Sequence, residues 1–256
     1  ARLPVRAVRE RRVNAPAVLS VAAQQVEADL SQRDYHRLLK WPRGRRMPEE
    51  MRACGQGARR WYAQQGRPFL AARRVALRAI EAGTVTLVSG AVLSGERLAA
   101  SLRDGGARAL AVVVASAGPE VANEAARRWD AGHPDEAYFL DRLAAGVAEG
   151  LLARAASDLC RELAPRREHL LPHHSPGCGD WDLDDQARLI DVLGDACGPV
   201  TLLASGALRP QHSVLAAFGI TPRAVATASP VAACRRCDLD PCVFRRIPFQ
   251  PSEPRQ

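Results

Sequence analysis

The sequence predicts a mixed α+β fold. Three observations carry that reading. A continuous apolar run, Leu110-Ala111-Val112-Val113-Val114, is bounded by Gly118-Pro119 and has the signature of a buried strand. Some twenty residues later, Phe139, Leu140, Leu143, Val147, Leu151, Leu152, Ala155 and Leu159 recur at helical spacing, predicting a long helix over 135–163. Short β-branched runs at 85–88, 200–204, 214–218 and 225–228 then supply further strands between polar or glycine-rich breaks.

Other elements follow from the same rules. A helix is expected over 17–30, with Val18, Val21, Ala22 and Val26 on one face. Pro48 before Glu49-Glu50 marks a helix start, because proline lacks only an N–H that is unsatisfied there and acids favour the positive end of the dipole. The spacing of Phe69, Ala72, Val75, Ala76, Leu77 and Ile80 predicts a helix over 68–82, with Gly83 as its stop. Ser94 is the expected cap of a helix over 96–102 that ends at Gly105-Gly106. Three prolines and two glycines over 165–179 argue against any regular element there. Asp182 or Asp184 would cap a helix over 185–193. Gly146 and Gly150 inside the long helix either admit a close neighbour or merely weaken it.

Composition bounds the rest. The chain has 256 residues, 47% of them hydrophobic and 5% aromatic, so its core rests on Leu, Val and Ala. Residues 1–80 hold 18 basic and 6 acidic side chains; the remainder hold 18 and 22, so the N-terminal third carries the whole positive excess. That region could recruit an acidic partner or nucleic acid, or be a solvated helical face. The expected division is a basic helical region over 1–80, a body over 81–246 and a loose tail over 247–256. Seven cysteines, no N-terminal secretory segment and no run of ~20 apolar residues point to a reducing cytoplasm, where clustered thiols serve metal or redox chemistry.

Two stretches carry chemistry. The first is His173-His174-Ser175-Pro176-Gly177-Cys178-Gly179-Asp180-Trp181. Pro176 fixes its own backbone and extends Ser175, while Gly177 allows dihedrals closed to other residues and lets a ligand approach the main chain. The competing reading is an ordinary connecting loop. The second is Cys234-x-x-Cys237-x-x-x-x-Cys242. Three thiolates leave one vacancy in a tetrahedral zinc site, which Cys178 or His173 could fill, or match a cubane iron–sulfur cluster with an open iron. Arg235, Arg236, Arg245 and Arg246 would favour the thiolate forms. Ser205 and His212 lack a nucleophile elbow and an orienting acid, so a hydrolase is disfavoured.

The order Asp141-Arg142-Leu143-Ala144, then Ser175-Pro176-Gly177-x-Gly179-Asp180, then Val200-x-Leu202-x-x-Ser205-x-Ala207-x-x-Pro210-x-x-Ser213-Val214, resembles the activation domain of cobalamin-dependent methionine synthase. The three cysteines followed by Phe244-Arg245 are similar to the C-terminal signature of stand-alone relatives of that domain. The likeness covers about 80–245. It implies a twisted, mainly antiparallel sheet flanked by helices, behind a basic helical N-terminal arm. It also implies a methyltransferase-associated role in methionine metabolism. Such a domain binds S-adenosylmethionine and docks over a corrinoid on a partner protein. One electron and one methyl group then return the inactive cob(II) state to methylcobalamin. A flavodoxin-like donor and a corrinoid-binding protein are the implied partners; membrane and nucleic acid are not.

By the same resemblance, His173, Ser175, Pro176, Gly177 and Cys178 are the candidate cofactor-binding residues. Departures from the family pattern are concentrated here. In the family motif Arg-x-x-x-Gly-Tyr the matching positions hold His173, Gly177 and Cys178, and an imidazole cannot copy the bidentate arginine fork. A family carboxylate falls at Ala145, with Glu149 one turn later as a candidate substitute, and Leu203-Ala204 stand where the family has Thr-Glu. The alternative is therefore a non-catalytic binding module with an eroded S-adenosylmethionine site, stapled by a metal at Cys234, Cys237 and Cys242.

Overall fold

The structure is a computed structural model that describes residues 17–19, 23–42, 44–225 and the single positions 242, 245 and 248. Its centre is the strand β5, Ala109–Ser116, every residue of which is buried. Period-two geometry sends its side chains to opposite faces. Ala109, Ala111, Val113 and Ala115 enter one core layer, while Leu110, Val112 and Val114 enter the other.

Around it runs an open sheet of antiparallel pairs. Strand β1 (Ala17–Leu19) pairs with the start of β2 (Phe69–Glu81). The order is then β4 (Val92–Ser94), β3 (Thr84–Leu87), β2, β5, β9 (Ser213–Thr221) and β6 (His169–His174). A separate two-stranded ribbon joins β7 (Thr201–Leu202) to β8 (Leu208–Arg209). The mixed architecture and the antiparallel sheet agree with the expected fold class.

Helices cover both faces. On one lie α1 (Ala23–Asp29), α2 (Gln32–Leu38), α3 (Glu49–Gln65) and the thirty-residue α6 (Pro134–Leu163), in one core with Leu70, Ala72, Ala216 and Phe218. On the other, α4 (Glu96–Gly105) and α7 (Asp185–Leu193) pack with Ala71, Leu215, Ala217 and Trp181. Helix α5 (Glu120–Asp130) pairs with the start of α6. Two buried tyrosines fasten the helical layer from the N-terminal third. Tyr35 donates its hydroxyl to the Phe139 carbonyl and Tyr62 donates to that of Ala117, each at 2.7 Å.

Several expectations are corrected. Residues 69–81 form a strand, not a helix: β2 is covered on both faces by helices, so Leu70, Ala71 and Ala72 are consecutively buried and the apolar pattern loses its two-residue period. The helix expected over 17–30 is a strand followed by α1 alone, because the backbone of 17–19 pairs with 70–72. The proline-rich stretch holds the edge strand β6, in which Pro172 falls where the pairing with β9 is interrupted between Leu170 and His173. Gly95, not Ser94, occupies the N-cap of α4. The strand over 200–204 contracts to two residues. Gly146 receives Leu30 and Leu38 from the N-terminal helices, whose side chains an added Cβ would meet at 2.9 and 2.5 Å, whereas Gly150 faces open space. The strand expected over 225–228 and the tail over 247–256 fall almost wholly outside the described residues.

Candidate functional site

Strand β6 delivers the site. Its last residues pair with β9, His173 opposite Phe218 and His174 opposite Ala217, and the chain then turns sharply through 175–181. Gly177 and Gly179 have φ of 78° and 66°, the left-handed region that glycine enters without steric cost. Three backbone hydrogen bonds close the turn: Gly177 N–H to the Trp181 carbonyl at 2.8 Å, Cys178 N–H to Ser175 at 3.1 Å and Trp181 N–H to Cys178 at 3.4 Å. Ser175 and Pro176 are half-buried, whereas Gly177, Cys178, Gly179 and Asp180 are exposed. The corner therefore presents main chain to solvent in a fixed shape, as the sequence suggests.

What fixes it comes from outside the motif. Trp181 is 3% exposed and Asp185 is fully buried. One carboxylate oxygen of Asp185 accepts both the Trp181 indole N–H at 2.7 Å and the Ser94 backbone N–H at 2.6 Å; its other oxygen is ion-paired with Arg188. Asp180 accepts the Arg97 backbone N–H at 2.9 Å at the start of α4. Gly95 leaves room for the indole, since a Cβ there would lie 3.3 Å from Trp181. Sequence reasoning missed Asp185 as the anchor; its four-residue spacing from Trp181 is the local signal, but Ser94 is 91 residues away in the chain.

The candidate side chains divide sharply. His173 packs its ring against Phe218, with centroids 5.3 Å apart. Burial, and secondarily the His174 charge, push its pKa down to about 4, so it is neutral at pH 7 and offers no charge to an anionic group. Glu149 does not stand alone on α6: its carboxylate lies 3.5 Å from Arg37 of α2. Asp141, in the motif before the turn, is hydrogen-bonded to His212 Nε2 at 2.8 Å and ion-paired with Arg142. Burial alone would raise the Asp141 pKa, but the bonds from His212 and Arg142 prevail and hold it at about 2. His212 therefore does have an acid partner, contrary to the expectation from sequence, because Asp141 is 71 residues away in the chain. Next to His212, Ser213 donates to the Pro210 carbonyl at 2.6 Å and accepts from the Ser116 hydroxyl at 3.0 Å.

Cys234 and Cys237 lie outside the described residues, and Cys242 is half-buried. Among the described residues no three His, Cys, Asp or Glu side chains gather as metal ligands. Cys54 and Cys160 are half-buried against the core and Cys197 is buried; burial pushes all three thiols up, as inert packing residues require. An open depression of about 590 Å³ lies between the β3–β4 hairpin and α7, lined by Ser89, Val92, Arg188 and Asp191 and by none of the candidate residues. Among the described residues no helix is long and apolar enough to cross a membrane.

The backbone has a counterpart among solved structures. A crystal structure of the MetH reactivation domain bound to AdoHcy superposes with a TM-score of 0.62 over 84% of this chain and 81% of that one. The chain shares the fold of the MetH reactivation domain. Identity is 10%, so the likeness lies in the backbone frame rather than in the side chains. No protein-family model matches the sequence, and no curated protein matches it either.

Proposed function

We propose that this chain is a protein of the MetH reactivation-domain type, which docks on a corrinoid-carrying partner and supports its reductive methylation in methionine metabolism. The observation that carries this reading is the shared fold over 84% of the chain. The exposed, hydrogen-bonded turn at 177–180 supports it, because a preorganised backbone surface can meet a bulky cofactor without ordering cost. When bound, S-adenosylmethionine would supply the methyl group and a flavodoxin-like donor the electron that reactivation of the partner's corrinoid requires. This chain would contribute positioning: the hydrogen-bonded turn at 177–180 would set one cofactor against another. A reducing cytoplasm suits that chemistry.

Two contacts favour a second reading. Glu149 is paired with Arg37, and the neutral His173 rests on Phe218. Neither is disposed as an anchor for the charged groups of S-adenosylmethionine. On this reading the chain is a non-catalytic docking module, with zinc or an iron–sulfur cluster at Cys234, Cys237 and Cys242 as a staple. Titration calorimetry with S-adenosylmethionine and with AdoHcy, beside pull-down of a purified corrinoid protein loaded with cob(II)alamin, separates the two. Micromolar S-adenosylmethionine affinity supports the first. Partner binding without it supports the second, and loss of both sinks the proposal. Metal analysis of protein purified without oxygen tests the staple, which fails below about a tenth of an equivalent of zinc or iron.

A further inference from the structure

We propose that Lys40, Arg45 and Arg46, in the connection between α2 and α3, form a docking site for an acidic protein surface. The described residues of that connection are held in shape from within. Lys40 takes a left-handed φ of 53° and Gly44 one of 75°. The Trp41 indole N–H donates to the Arg45 carbonyl at 2.8 Å, and the Arg45 N–H returns to the Pro42 carbonyl at 3.3 Å. Trp41 packs on the core and Met47 is buried, so the loop is pinned at both ends. Lys40, Arg45 and Arg46 are exposed.

Charge around the loop is unbalanced. On the neighbouring helices the acids are spent internally: Glu27 pairs with Arg59, Asp29 with Arg154, Asp34 with Arg37 and Glu49 with Arg52. Glu50, exposed in the first turn of α3, is the acid left over against three exposed cations. A loop whose backbone is already fixed loses little main-chain entropy on binding, and its exposed cations steer an oppositely charged surface at a distance. Its dimensions suit a protein more than a nucleic acid. Three cations release few counterions, and Trp41 is turned into the core with its N–H engaged, so it is not free to stack on a base. The site is separate from the turn at 173–181 and stands whether or not that turn holds a cofactor.

The test uses the full chain and a fluorescein-labelled poly-glutamate peptide of about twenty residues at low salt, about 0.05 M, where screening is weak. Two charge-reversal variants carry it. One is Lys40→Glu/Arg45→Glu/Arg46→Glu; the other is Arg78→Glu/Arg166→Glu/Arg167→Glu, exposed positions elsewhere with the same change in net charge. The double variant Arg45→Glu/Arg46→Glu leaves the left-handed Lys40 in place and guards against a misfolded loop. Both loop variants are expected to weaken binding about tenfold or more, with the control within about twofold of the parent. Equal losses in loop variants and control would mean bulk charge alone and overturn the site. A single-stranded oligonucleotide of the same length that binds more tightly, with the same loop dependence, would reassign it to nucleic acid and equally overturn it.

Discussion

The indole of Trp181 donates to the buried carboxylate of Asp185 at 2.7 Å, and through that carboxylate the exposed turn is tied to Ser94 at the end of β4. The bond runs from the last residue of the turn to the first residue of α7, so the geometry of the corner and the placement of that helix are set together. A fully buried carboxylate demands such partners, because an unpaired one would carry a desolvation cost of several kcal/mol.

Removing the acid should therefore cost more than removing the indole donor. Asp185→Ala leaves the Ser94 N–H and the Trp181 N–H without an acceptor, and should lower unfolding stability by about 3 kcal/mol. Trp181→Phe deletes one donor and leaves a smaller ring in a buried site, so about 2 kcal/mol is expected. Urea denaturation followed by circular dichroism checks the ranking; equal losses would show that the carboxylate is not the shared anchor.

The turn's glycines should differ as well. At Gly177, with φ of 78°, an added Cβ would lie 2.9 Å from Leu183 Cδ1. Gly177→Ala combines left-handed strain of about 1 kcal/mol with that collision. At Gly179 the nearest atom is the Arg97 guanidinium at 3.3 Å, the mobile end of a long side chain, so Gly179→Ala should carry the backbone strain alone. Thermal unfolding should place Gly177→Ala below Gly179→Ala.

Much of the frame was legible in the sequence, and the failures have physical causes. β5 showed itself as an uninterrupted apolar run, and α6 and α7 by their helical spacing, because in each the burial pattern is set by the element's own geometry. β2 did not, since two helical layers cover it, so its two-residue period is lost and the spacing of its apolar residues imitates a helix. α5 was missed because it lies at the surface with only Val121 and Arg128 buried, too little for a periodic stripe. At the site, Pro176, Gly177 and Gly179 announced the corner through their backbone demands. Its anchors at Ser94 and Arg97 are tertiary contacts that local pattern does not encode, and the burial of His173 against Phe218 depends on the β6–β9 register.

Acid should unfold the protein in two stages. His173 is held at about 4 when folded, against about 6.5 in an unfolded chain, so between those values the unfolded state takes up a proton the folded imidazole refuses. Stability therefore falls as pH drops through that window, by about 3 kcal/mol in all and about 2 kcal/mol by pH 5. Asp141, held at about 2 against about 3.9 when unfolded, adds a second loss below pH ~4. Urea midpoints at pH 7, 5 and 3 read both stages. His173→Phe should flatten the first and leave the second. A parent protein with the same midpoint at pH 7 and pH 5 would contradict the burial of that imidazole.

The tyrosine bonds test whether the N-terminal helices fold with the sheet. Tyr62 is buried and reaches across from α3 to the Ala117 carbonyl just beyond β5; its phenol is pushed well above the ordinary range by burial, and further by Glu120. Tyr62→Phe keeps the ring and orphans a buried carbonyl, for an expected loss of about 1–2 kcal/mol. Tyr35→Phe removes only a second bond to the Phe139 carbonyl, which the backbone of α6 still satisfies, so a smaller loss of about 1 kcal/mol is expected. If the helical layer and the sheet form one cooperative unit, each variant shifts the whole denaturation curve, read alike by helix signal and by tryptophan fluorescence. A variant that moves the helix signal while leaving the fluorescence of buried Trp181 unchanged would show that the layer melts on its own. The two bonds would then report a docked appendage instead of a shared core.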